Sequence, residues 1–397
     1  MIELKLGVIG VTHKENEHRL PIHPDHFGRI DVDLRANIYL EHGYGARFGA
    51  SDEQLAPLVA GMRTREQLIE ECDVILLAKP DATDLAELRV GQILWGWPHC
   101  VQNSELTQQA IDRRQTLIAF EAMNLWRNSG SFKLHVFHKN NEMAGYCSVF
   151  HAMQIAGLTG TYGRRLRAAV IGFGATARGA VTGLNAQGIH DIDILTNRGV
   201  TEVASPIHSA QIVHFDHGVD PDTGRAVSTA LTPQGAVPLA EYLADHDIVV
   251  NCVLQDPTAP LTFLYEDDLD SFRPGSLIID VSCDEAMGFS WAKPTSFEEP
   301  TTVLGDFITY YAVDHSPSYL WNAATWEISE ALLPYLRTVL AGPKAWEADQ
   351  SVRRAIEIVD GTIVNPDILA FQGRSSSYPY ERIETRCAKA EYSGGIG

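Results

Sequence analysis

An apolar run that breaks into a glycine-rich turn is the feature that most constrains how this chain folds. Residues 168–171 read Ala-Ala-Val-Ile, and the turn after them contains Gly172, Gly174 and Ala177. A helical pattern then continues to Gln187, and a second apolar run occupies residues 192–195. The order strand, turn, helix, strand predicts a βαβ unit, in which the two strands lie parallel in one sheet.

The spacing of small residues in this turn, G-x-G-x-x-A, is typical of a dinucleotide-binding site. Gly172 permits the tight turn, Gly174 permits close approach of a pyrophosphate to the backbone, and Ala177 permits close helix packing. Ala175 and Thr176 open the helix, where unpaired N–H groups and the helix dipole favour an anion. The alternative is an ordinary glycine turn without a ligand.

The residues after the second strand indicate which dinucleotide binds. NAD-binding units usually carry Asp or Glu there for the ribose 2′-hydroxyl, whereas this chain has Thr196, Asn197 and Arg198. A guanidinium pairs with a 2′-phosphate, which a carboxylate would repel. We therefore predict NADP(H) in preference to NAD(H).

Another buried strand, over residues 247–254, belongs to the same unit. Because ligands bind at the carboxyl ends of parallel strands, we expect its last residues, Cys252, Val253 and Leu254, beneath the nicotinamide ribose. The alternative is a buried strand that makes no cofactor contact.

Strands and helices alternate on both sides of the motif, which predicts an α/β fold with parallel sheets. We expect two domains. Residues 1–140 and 312–397 form a discontinuous catalytic domain, and residues 141–311 form the NADP-binding domain. The discontinuity follows from helical patterns over 324–340 and 345–357, which we expect to return to the first domain.

Two segments carry weaker structural patterns. Residues 203–238 are rich in Pro, Gly, Asp and His, and we expect a loop with one short strand at 212–213. The tail after Arg374 is polar, and we expect it to be poorly ordered.

Composition and charge exclude several classes of protein. The net charge of −20 and the absence of a Lys/Arg block argue against nucleic-acid binding. No apolar run approaches the roughly 18 residues of a membrane span, so we expect no membrane partner. Six scattered cysteines without CxxC spacing indicate reduced thiols and a cytoplasmic protein. We expect no metal, because His13, His18, His23 and His26 lack recognised ligand spacing.

Three strands of the first domain end near side chains of different chemistry: Lys79, His99 and Glu121. The carboxyl ends of parallel strands share one edge of a sheet, so these residues predict an acid–base site. Arg19, in the loop after the first strand, would reach the same edge, where a guanidinium suits a substrate carboxylate. The alternatives are a solvated Lys79, a core histidine and a structural Lys79–Glu121 ion pair.

The chain resembles the alanine dehydrogenase/transhydrogenase superfamily, and within it the branch of saccharopine dehydrogenase (lysine-forming) and N5-(carboxyethyl)ornithine synthase. Seven segments carry the resemblance, in family order: residues 12–24, 77–80 (Leu-Ala-Lys-Pro), 96–102 (Gly-Trp-Pro-His-Cys-Val-Gln), 120–124 (Phe-Glu-Ala-Met-Asn), 142–145 (Glu-Met-Ala-Gly), 280–284 (Asp-Val-Ser-Cys-Asp) and 313–318 (Val-Asp-His-Ser-Pro-Ser).

The resemblance implies two Rossmann-like domains with the active site in the cleft between them, in a homodimer or larger homo-oligomer. It implies Lys79 and His99 as catalytic residues, with Glu121 orienting Lys79. It further implies a second set of site residues: Arg19 and Lys14 toward the substrate, Asp314 and His315 as substrate contacts, and Asp284 near the cofactor. For Asp314 and His315, the alternative is a helix cap and a packing histidine.

The resemblance also implies an NADP-dependent opine-type oxidoreductase. Such an enzyme joins the amine of a diamino acid, such as ornithine or lysine, to a 2-oxo acid such as pyruvate, through an imine. One alternative is an alanine dehydrogenase-like amino-acid dehydrogenase that releases ammonia. Another is a non-catalytic NADP-binding sensor, against which the combination of Lys79, His99 and Arg19 argues.

Overall fold

The structure, a computed structural model, describes residues 2–197, 207, 209–222, 224–254, 260–285, 287–305 and 307–376. The chain divides into two compact units. Unit 1 comprises residues 1–138 and 321–397, and unit 2 comprises residues 139–320.

Residues 312–320 belong to unit 2, whereas the domain boundaries expected from the sequence place them in the first domain. Ser316 explains why, because its hydroxyl accepts a hydrogen bond from Ser148 at 2.9 Å and donates one to the carbonyl of Ala144 at 3.1 Å. The chain therefore returns to unit 1 only at Trp321.

An eight-stranded sheet forms the centre of unit 1. Its strands are β1 (Leu6–Val8), β2 (Ile38–Glu41), β3 (Gly61–Arg63), β4 (Val74–Leu76), β5 (Ile93–Gly96), β6 (Thr116–Ala119), β20 (Ile356–Val359) and β21 (Thr362–Ile363), and a separate hairpin contains β7 (Asn124–Trp126) and β8 (Phe132–His135). The order across the sheet is β21-β20-β6-β5-β4-β1-β2-β3. Strands β1 to β6 pair in parallel, and β20 and β21 add an antiparallel edge. The strands β1, β4 and β6 are buried along their whole length, as expected for a parallel sheet covered on both faces.

The helices of unit 1 are short. They are α1 (Val32–Arg35), α2 (Asp52–Leu55), α3 (Arg65–Glu71), α4 (Ala82–Glu87), α5 (Ser104–Asp112), α9 (Trp321–Leu332), α10 (Leu336–Leu340), α11 (Pro343–Ala348), α12 (Gln350–Arg353) and α13 (Pro366–Gln372). The single helix predicted over 324–340 is interrupted by a 3₁₀ turn at Leu333–Tyr335, because Pro334 has no N–H to donate to the helix.

Unit 2 contains a nine-stranded sheet in the order β13-β12-β11-β10-β9-β14-β16-β19-β18. Its strands are β9 (Arg167–Ile171), β10 (Asp191–Thr196), β11 (Gln211–Val219), β12 (Ala226–Thr232), β13 (Gly235–Pro238), β14 (Ile248–Asn251), β16 (Leu277–Asp280), β18 (Thr301–Leu304) and β19 (Ile308–Tyr311), with β15 (Thr262–Leu264) and β17 (Gly288–Phe289) paired separately. The six strands from β11 to β19 pair in parallel. The helices are α6 (His138–Ile155), α7 (Ala175–Ala186) and α8 (Leu239–Ala244). Among the described residues, no helix is long and apolar enough to cross a membrane.

The prediction of a loop over residues 203–238 is wrong for most of that segment. Residues 211–238 contain the three strands β11, β12 and β13, and the last two pair antiparallel. Burial along β12 alternates, because this end of the sheet is half-exposed. The exposed positions include Val227 and Leu231 as well as Asp216, Gly218 and Gly235, so no strict alternation of apolar and polar residues marked the strands in the sequence. Residues 203–206 lie outside the described part of the chain.

Two glycines allow α6 and α7 to cross in direct contact. A Cβ atom on Gly179 would lie 1.6 Å from the carbonyl oxygen of Glu142, and one on Gly145 would lie 2.0 Å from that of Thr176. The close packing that the sequence assigns to Ala177 therefore involves Gly145 and Gly179 as well. This crossing holds the start of α7 against α6.

We expect Gly179→Ala to lower the free energy of unfolding by about 3 kcal/mol, because the new Cβ must displace backbone rather than a flexible side chain. The higher helix propensity of alanine offsets less than about 1 kcal/mol of this loss. The matched control is Gly218→Ala in β11, where a Cβ meets no atom within 4 Å. Chemical denaturation of both variants measures the difference, and equal stability would contradict the inferred helix contact.

Candidate functional site

The glycine turn of unit 2 has the geometry of a phosphate cradle. Gly172 lies at φ +116°, and a Cβ there would lie 3.1 Å from the carbonyl oxygen of Cys252. Gly174 precedes α7 with no side-chain cap, and its Cβ position faces open space. The N–H groups in the first turn of α7, from Ala175 to Ala177, have no intrahelical acceptor, so they are available to an anion.

The ends of β14 and β16 form the adjoining part of the same edge. Asn251, the last residue of β14, donates its side-chain N–H to Asp280 at 2.9 Å, and the hydroxyl of Tyr310 donates to Asp280 at 3.0 Å. Burial raises the pKa of Asp280 to about 6. Directly after β14, Cys252 is buried and bonds through its N–H to Ile171, whereas the side chain of Leu254 is 91% exposed. The structure thus places Cys252 beside the glycine turn and leaves Leu254 in solvent.

Residues predicted to select the cofactor lie at the end of β10. Thr196 is the last residue of the strand and is buried, and the exposed Asn197 follows it. Arg198, on which the preference for NADP(H) depends, lies outside the described residues.

Asp284, Asp314 and His315 all belong to unit 2. Burial raises the pKa of Asp284 to about 6. The Asp314 carboxylate lies 2.5 Å from Nδ1 of His315, and the buried imidazole packs edge-on to Phe297 at 4.9 Å. Asp314 and His315 therefore form a carboxylate–imidazole pair immediately before a 3₁₀ turn at Ser316–Leu320.

In unit 1, the chain segments carrying Lys79 and His99 run side by side beyond β4 and β5. The N–H of Trp97 donates to the carbonyl of Ala78 at 2.9 Å, which extends the strand pairing to the residue before Lys79. Gly96 is needed for this approach, because a Cβ there would lie 2.0 Å from the carbonyl oxygen of Leu77. Lys79 and His99 are both half-buried.

Glu121 joins this group through the backbone of His99. The His99 N–H donates to Oε1 of Glu121 at 2.6 Å, and His99 adopts a left-handed φ of +49°. Within the described chain, the buried Oε2 of Glu121 has no hydrogen-bond partner. The structure therefore brings Lys79, His99 and Glu121 to one edge of the sheet.

Burial is the main reason why Glu121 is difficult to ionise. It raises the pKa of Glu121 to about 8, and the negative charge of Glu357 adds to the shift, while Lys79 opposes it. Glu357, on β20, is itself buried, which raises its pKa to about 7 although Asn365 donates to it at 2.6 Å. Two carboxyl groups that resist ionisation therefore influence one another at this edge.

Arg19 lies in a buried ion pair. Its Nε donates to Oε1 of Glu17 at 2.8 Å, Nη2 pairs with Oε2, and the guanidinium lies 5.3 Å from the ring centre of Trp97. The structure thus places Arg19 near the end of β5 but already bound to a carboxylate from its own loop. Glu17 was not predicted as a site residue, although a carboxylate two residues before Arg19 could have indicated an ion pair.

Lys14 lines a cavity of about 630 Å³ at the carboxyl ends of β1 and β2. The walls consist entirely of residues between 10 and 48. Thr12 connects the cavity to the edge described above, because its hydroxyl lies 2.7 Å from the carbonyl oxygen of Lys79.

A second polar group surrounds Asp84. Ligand atoms of His13, Asp84 and Glu87 lie within 4.8 Å of one another. Arg65 bonds to both carboxylates at 2.6 Å, so a guanidinium already supplies positive charge at this position. Asp84 was not predicted from the sequence; it is buried in the first turn of α4 and accepts a hydrogen bond from the N–H of the N-cap residue Asp81 at 2.9 Å.

Family models match the chain over most of its length. "Alanine dehydrogenase/PNT, N-terminal domain" matches residues 11–144, and "Alanine dehydrogenase/PNT, C-terminal domain" matches residues 142–366.

Curated relatives share about a quarter of their residues with the chain. Alanine dehydrogenase of Mycobacterium tuberculosis is 24% identical over 337 residues, which is 84% of this chain and 86% of that protein. N(5)-(carboxyethyl)ornithine synthase of Clostridium botulinum is 24% identical over 341 residues, which is 83% of this chain and 92% of that protein.

Solved structures share the fold. An L-alanine dehydrogenase superposes with a TM-score of 0.70 at 19% identity, covering 93% of this chain and 99% of that chain. A transhydrogenase from Sinorhizobium meliloti superposes with a TM-score of 0.67 at 18% identity, covering 91% of this chain and 99% of that chain. The predicted α/β class with parallel sheets in two Rossmann-like domains is confirmed.

The two raised carboxyl pKa values predict a specific pH dependence of stability. The folded state holds a proton that the unfolded chain has released between about pH 5 and 8 on Glu121, and between about pH 5 and 7 on Glu357. Both groups therefore reduce stability as pH rises, by up to about 1.4 kcal/mol per pH unit for each carboxyl.

We expect the double variant Glu121→Gln with Glu357→Gln to lose this part of the pH dependence, as measured by urea denaturation between pH 5 and 8. Glu53→Gln is the control, because Glu53 is exposed and its pKa is lowered. An unchanged pH slope in the double variant would contradict the assignment.

Proposed function

Since the chain belongs to the alanine dehydrogenase/PNT family, whose two models match residues 11–144 and 142–366, we propose that it is an opine-type oxidoreductase. In this proposal it joins the amine of a diamino acid, such as ornithine or lysine, to a 2-oxo acid such as pyruvate. The product is a secondary amine formed by reduction of an imine with NADPH.

Family membership confirms the resemblance to the alanine dehydrogenase/transhydrogenase superfamily. It also confirms the coarser functional prediction, an NAD(P)-dependent oxidoreductase that acts on CH–NH groups in amino-acid metabolism. The proposal goes further in naming the amine partner and the preferred dinucleotide.

One observation carries the proposal: an amine, an imidazole and a carboxyl group converge where β4, β5 and β6 end. Lys79, His99 and Glu121 provide three proton-carrying groups, which a reductive condensation requires and a sensor does not. The relative from Clostridium botulinum, aligned over 92% of its length, supports an opine-type reaction.

Residues of unit 2 fit a dinucleotide. The turn at Gly172 and Gly174 is open toward the first turn of α7, where unpaired N–H groups suit a pyrophosphate. We assign Ala175, Thr176 and Ala177 to the pyrophosphate, and Thr196, Asn197 and Arg198 to the adenosine ribose. We assign the nicotinamide side to Cys252, Val253, Leu254 and Asp284. When bound, NADPH supplies the hydride.

Acid–base residues of unit 1 handle the protons. The attacking amine must lose a proton before its nitrogen adds to the 2-oxo carbon, and the hydroxyl of the resulting carbinolamine must gain one to leave as water. Lys79 and His99 share these two transfers. With a pKa of about 8, Glu121 is protonated at neutral pH, so it places no negative charge beside Lys79.

Substrate carboxylates require a cation. Arg19 binds the carboxylate of the 2-oxo acid through paired hydrogen bonds, for which Glu17 holds the guanidinium in place. We assign further substrate contacts to Lys14, Asp314 and His315.

An alanine dehydrogenase-like activity that releases ammonia is the second candidate. Most of the named relatives are alanine dehydrogenases, which supports it. Oxidation of alanine to pyruvate and ammonia, without incorporation of a diamino acid, would favour this candidate. Mass measurement of the products of NADPH oxidation with pyruvate and ornithine separates the two reactions.

The setting of the enzyme is also a proposal. The described cysteines, at positions 72, 100, 147, 252 and 283, are thiols and not disulfides, which supports a cytoplasmic location. We further propose a homodimer or larger homo-oligomer that acts on small molecules, and sedimentation analysis tests its size.

We expect Lys79→Met and His99→Gln each to lower kcat by about 10²-fold or more, because each removes a group that transfers a proton. The affinity for NADPH, measured by fluorescence titration, should stay within about twofold, since unit 2 holds the cofactor. His190→Gln serves as a control, because His190 is exposed on unit 2 and its Nδ1 bonds to Asn185 at 2.8 Å. Near-normal turnover in both site variants would refute the assignment.

The cofactor preference is tested at Arg198. We expect kcat/KM to be higher with NADPH than with NADH, and Arg198→Gln to raise KM for NADPH about tenfold, because a charge-assisted bond to the 2′-phosphate is lost. KM for NADH, which lacks that phosphate, should not change. Equal or better use of NADH by the wild-type enzyme would contradict the preference.

A further inference from the structure

The 630 Å³ cavity of unit 1 adjoins the proposed catalytic edge at two points. Thr12 lines the cavity and contacts the backbone of Lys79, with 2.7 Å between its hydroxyl and the Lys79 carbonyl oxygen. Glu17 also lines it, and its carboxylate is bound by Arg19. The cavity therefore lies one residue away from Lys79 and from Arg19.

Glu41 is a carboxyl group of the cavity that forms no ion pair with a described residue. It ends β2, and its Oε2 accepts hydrogen bonds from the N–H groups of Gly10 at 2.8 Å and Val11 at 3.3 Å. These two bonds orient the carboxylate, and no described residue donates a hydrogen bond to its Oε1. Glu17, by contrast, already has its charge balanced by Arg19.

Arg47 supplies an exposed cation to the same cavity. Its guanidinium lies 5.7 Å from the ring centre of Trp321, and no described carboxylate pairs with it. Stacking on an aromatic ring limits the orientations of a guanidinium while leaving its N–H groups available to an anion. Besides Glu17, which is paired with Arg19, the cavity thus presents the Glu41 carboxylate and the Arg47 guanidinium, with Lys14 as a further cation on its wall.

We propose that this cavity binds the α-amino acid end of the amine substrate, with Glu41 pairing with the α-ammonium and Arg47 pairing with the α-carboxylate. The inference rests on the proposed function, because it identifies the amine as the side-chain amine of a diamino acid. A ligand with only an anionic group would leave Glu41 facing uncompensated negative charge. A ligand with only an ammonium would leave Arg47 without a role. A volume of about 630 Å³ is ample for a single amino acid.

Three ligands test the two ends separately by calorimetry on the NADP⁺-saturated protein. L-Ornithine carries both groups, 5-aminopentanoate lacks the α-ammonium, and 1,4-diaminobutane lacks the carboxylate. We expect Glu41→Gln to weaken binding of ornithine about tenfold or more and to leave 5-aminopentanoate unchanged. Arg47→Gln should weaken binding of ornithine by a similar factor and leave binding of 1,4-diaminobutane unchanged. Glu70→Gln, an exposed residue of α3 outside the cavity, is the matched control and should bind all three ligands as the wild type does.

Turnover with ornithine and pyruvate separates this proposal from the proposed function. If the binding pattern appears without NADPH oxidation, the cavity assignment stands and the opine-type reaction fails. If turnover occurs but KM for ornithine is the same in wild type, Glu41→Gln and Arg47→Gln, the reaction stands and the cavity assignment is overturned. Absence of ornithine binding to the wild-type protein also overturns it.

Discussion

Parallel pairing of β4, β5 and β6 is the constraint on which the proposed chemistry of unit 1 depends. Parallel strands end at the same edge, so whichever residues follow them are brought together regardless of their separation in sequence. Gly96 strengthens this effect, because the missing Cβ lets the chain after β5 follow the chain after β4 at hydrogen-bonding distance. Lys79, His99 and Glu121 share an edge for that reason, and not because of any local motif.

Two buried carboxyl groups at this edge, Glu17 and Glu121, have different surroundings. Arg19 contacts both carboxylate oxygens of Glu17, and an ion pair with this geometry compensates much of the lost hydration. Glu121 has no such partner at Oε2, and the nearby Glu357 adds repulsion, so protonation is the less costly state. The same edge thus contains an ion pair that orients the Arg19 guanidinium and a protonated Glu121 that places no negative charge beside Lys79.

Unit 2 depends on close backbone contacts rather than on charges. Gly172 allows the turn to pass the carbonyl of Cys252, and Gly145 and Gly179 allow α6 and α7 to touch. These contacts fix the direction of α7, and with it the direction of the N–H groups proposed to bind a pyrophosphate. Gly172 and Gly174 have the turn and open-approach geometry that the motif predicts. The third role, close helix packing, falls mainly on Gly179, which lies outside the motif.

The sequence by itself determined the α/β class, the βαβ unit around Gly172, and the three strand ends that carry Lys79, His99 and Glu121. Each of these follows from local patterns: apolar runs, glycine spacing and the rule that parallel strands end at one edge. Tertiary structure decided the partners of those residues. Glu357 approaches Glu121 only because β20 returns antiparallel to β6 from more than 200 residues away, and Glu41 faces a cavity only because β2 lies next to β1. Local pattern also failed for residues 211–238, where the half-exposed edge of a sheet has the composition of a loop. Burial, pairing and charge balance depend on which distant segments pack together, and the spacing of residues along a chain carries no direct record of that packing.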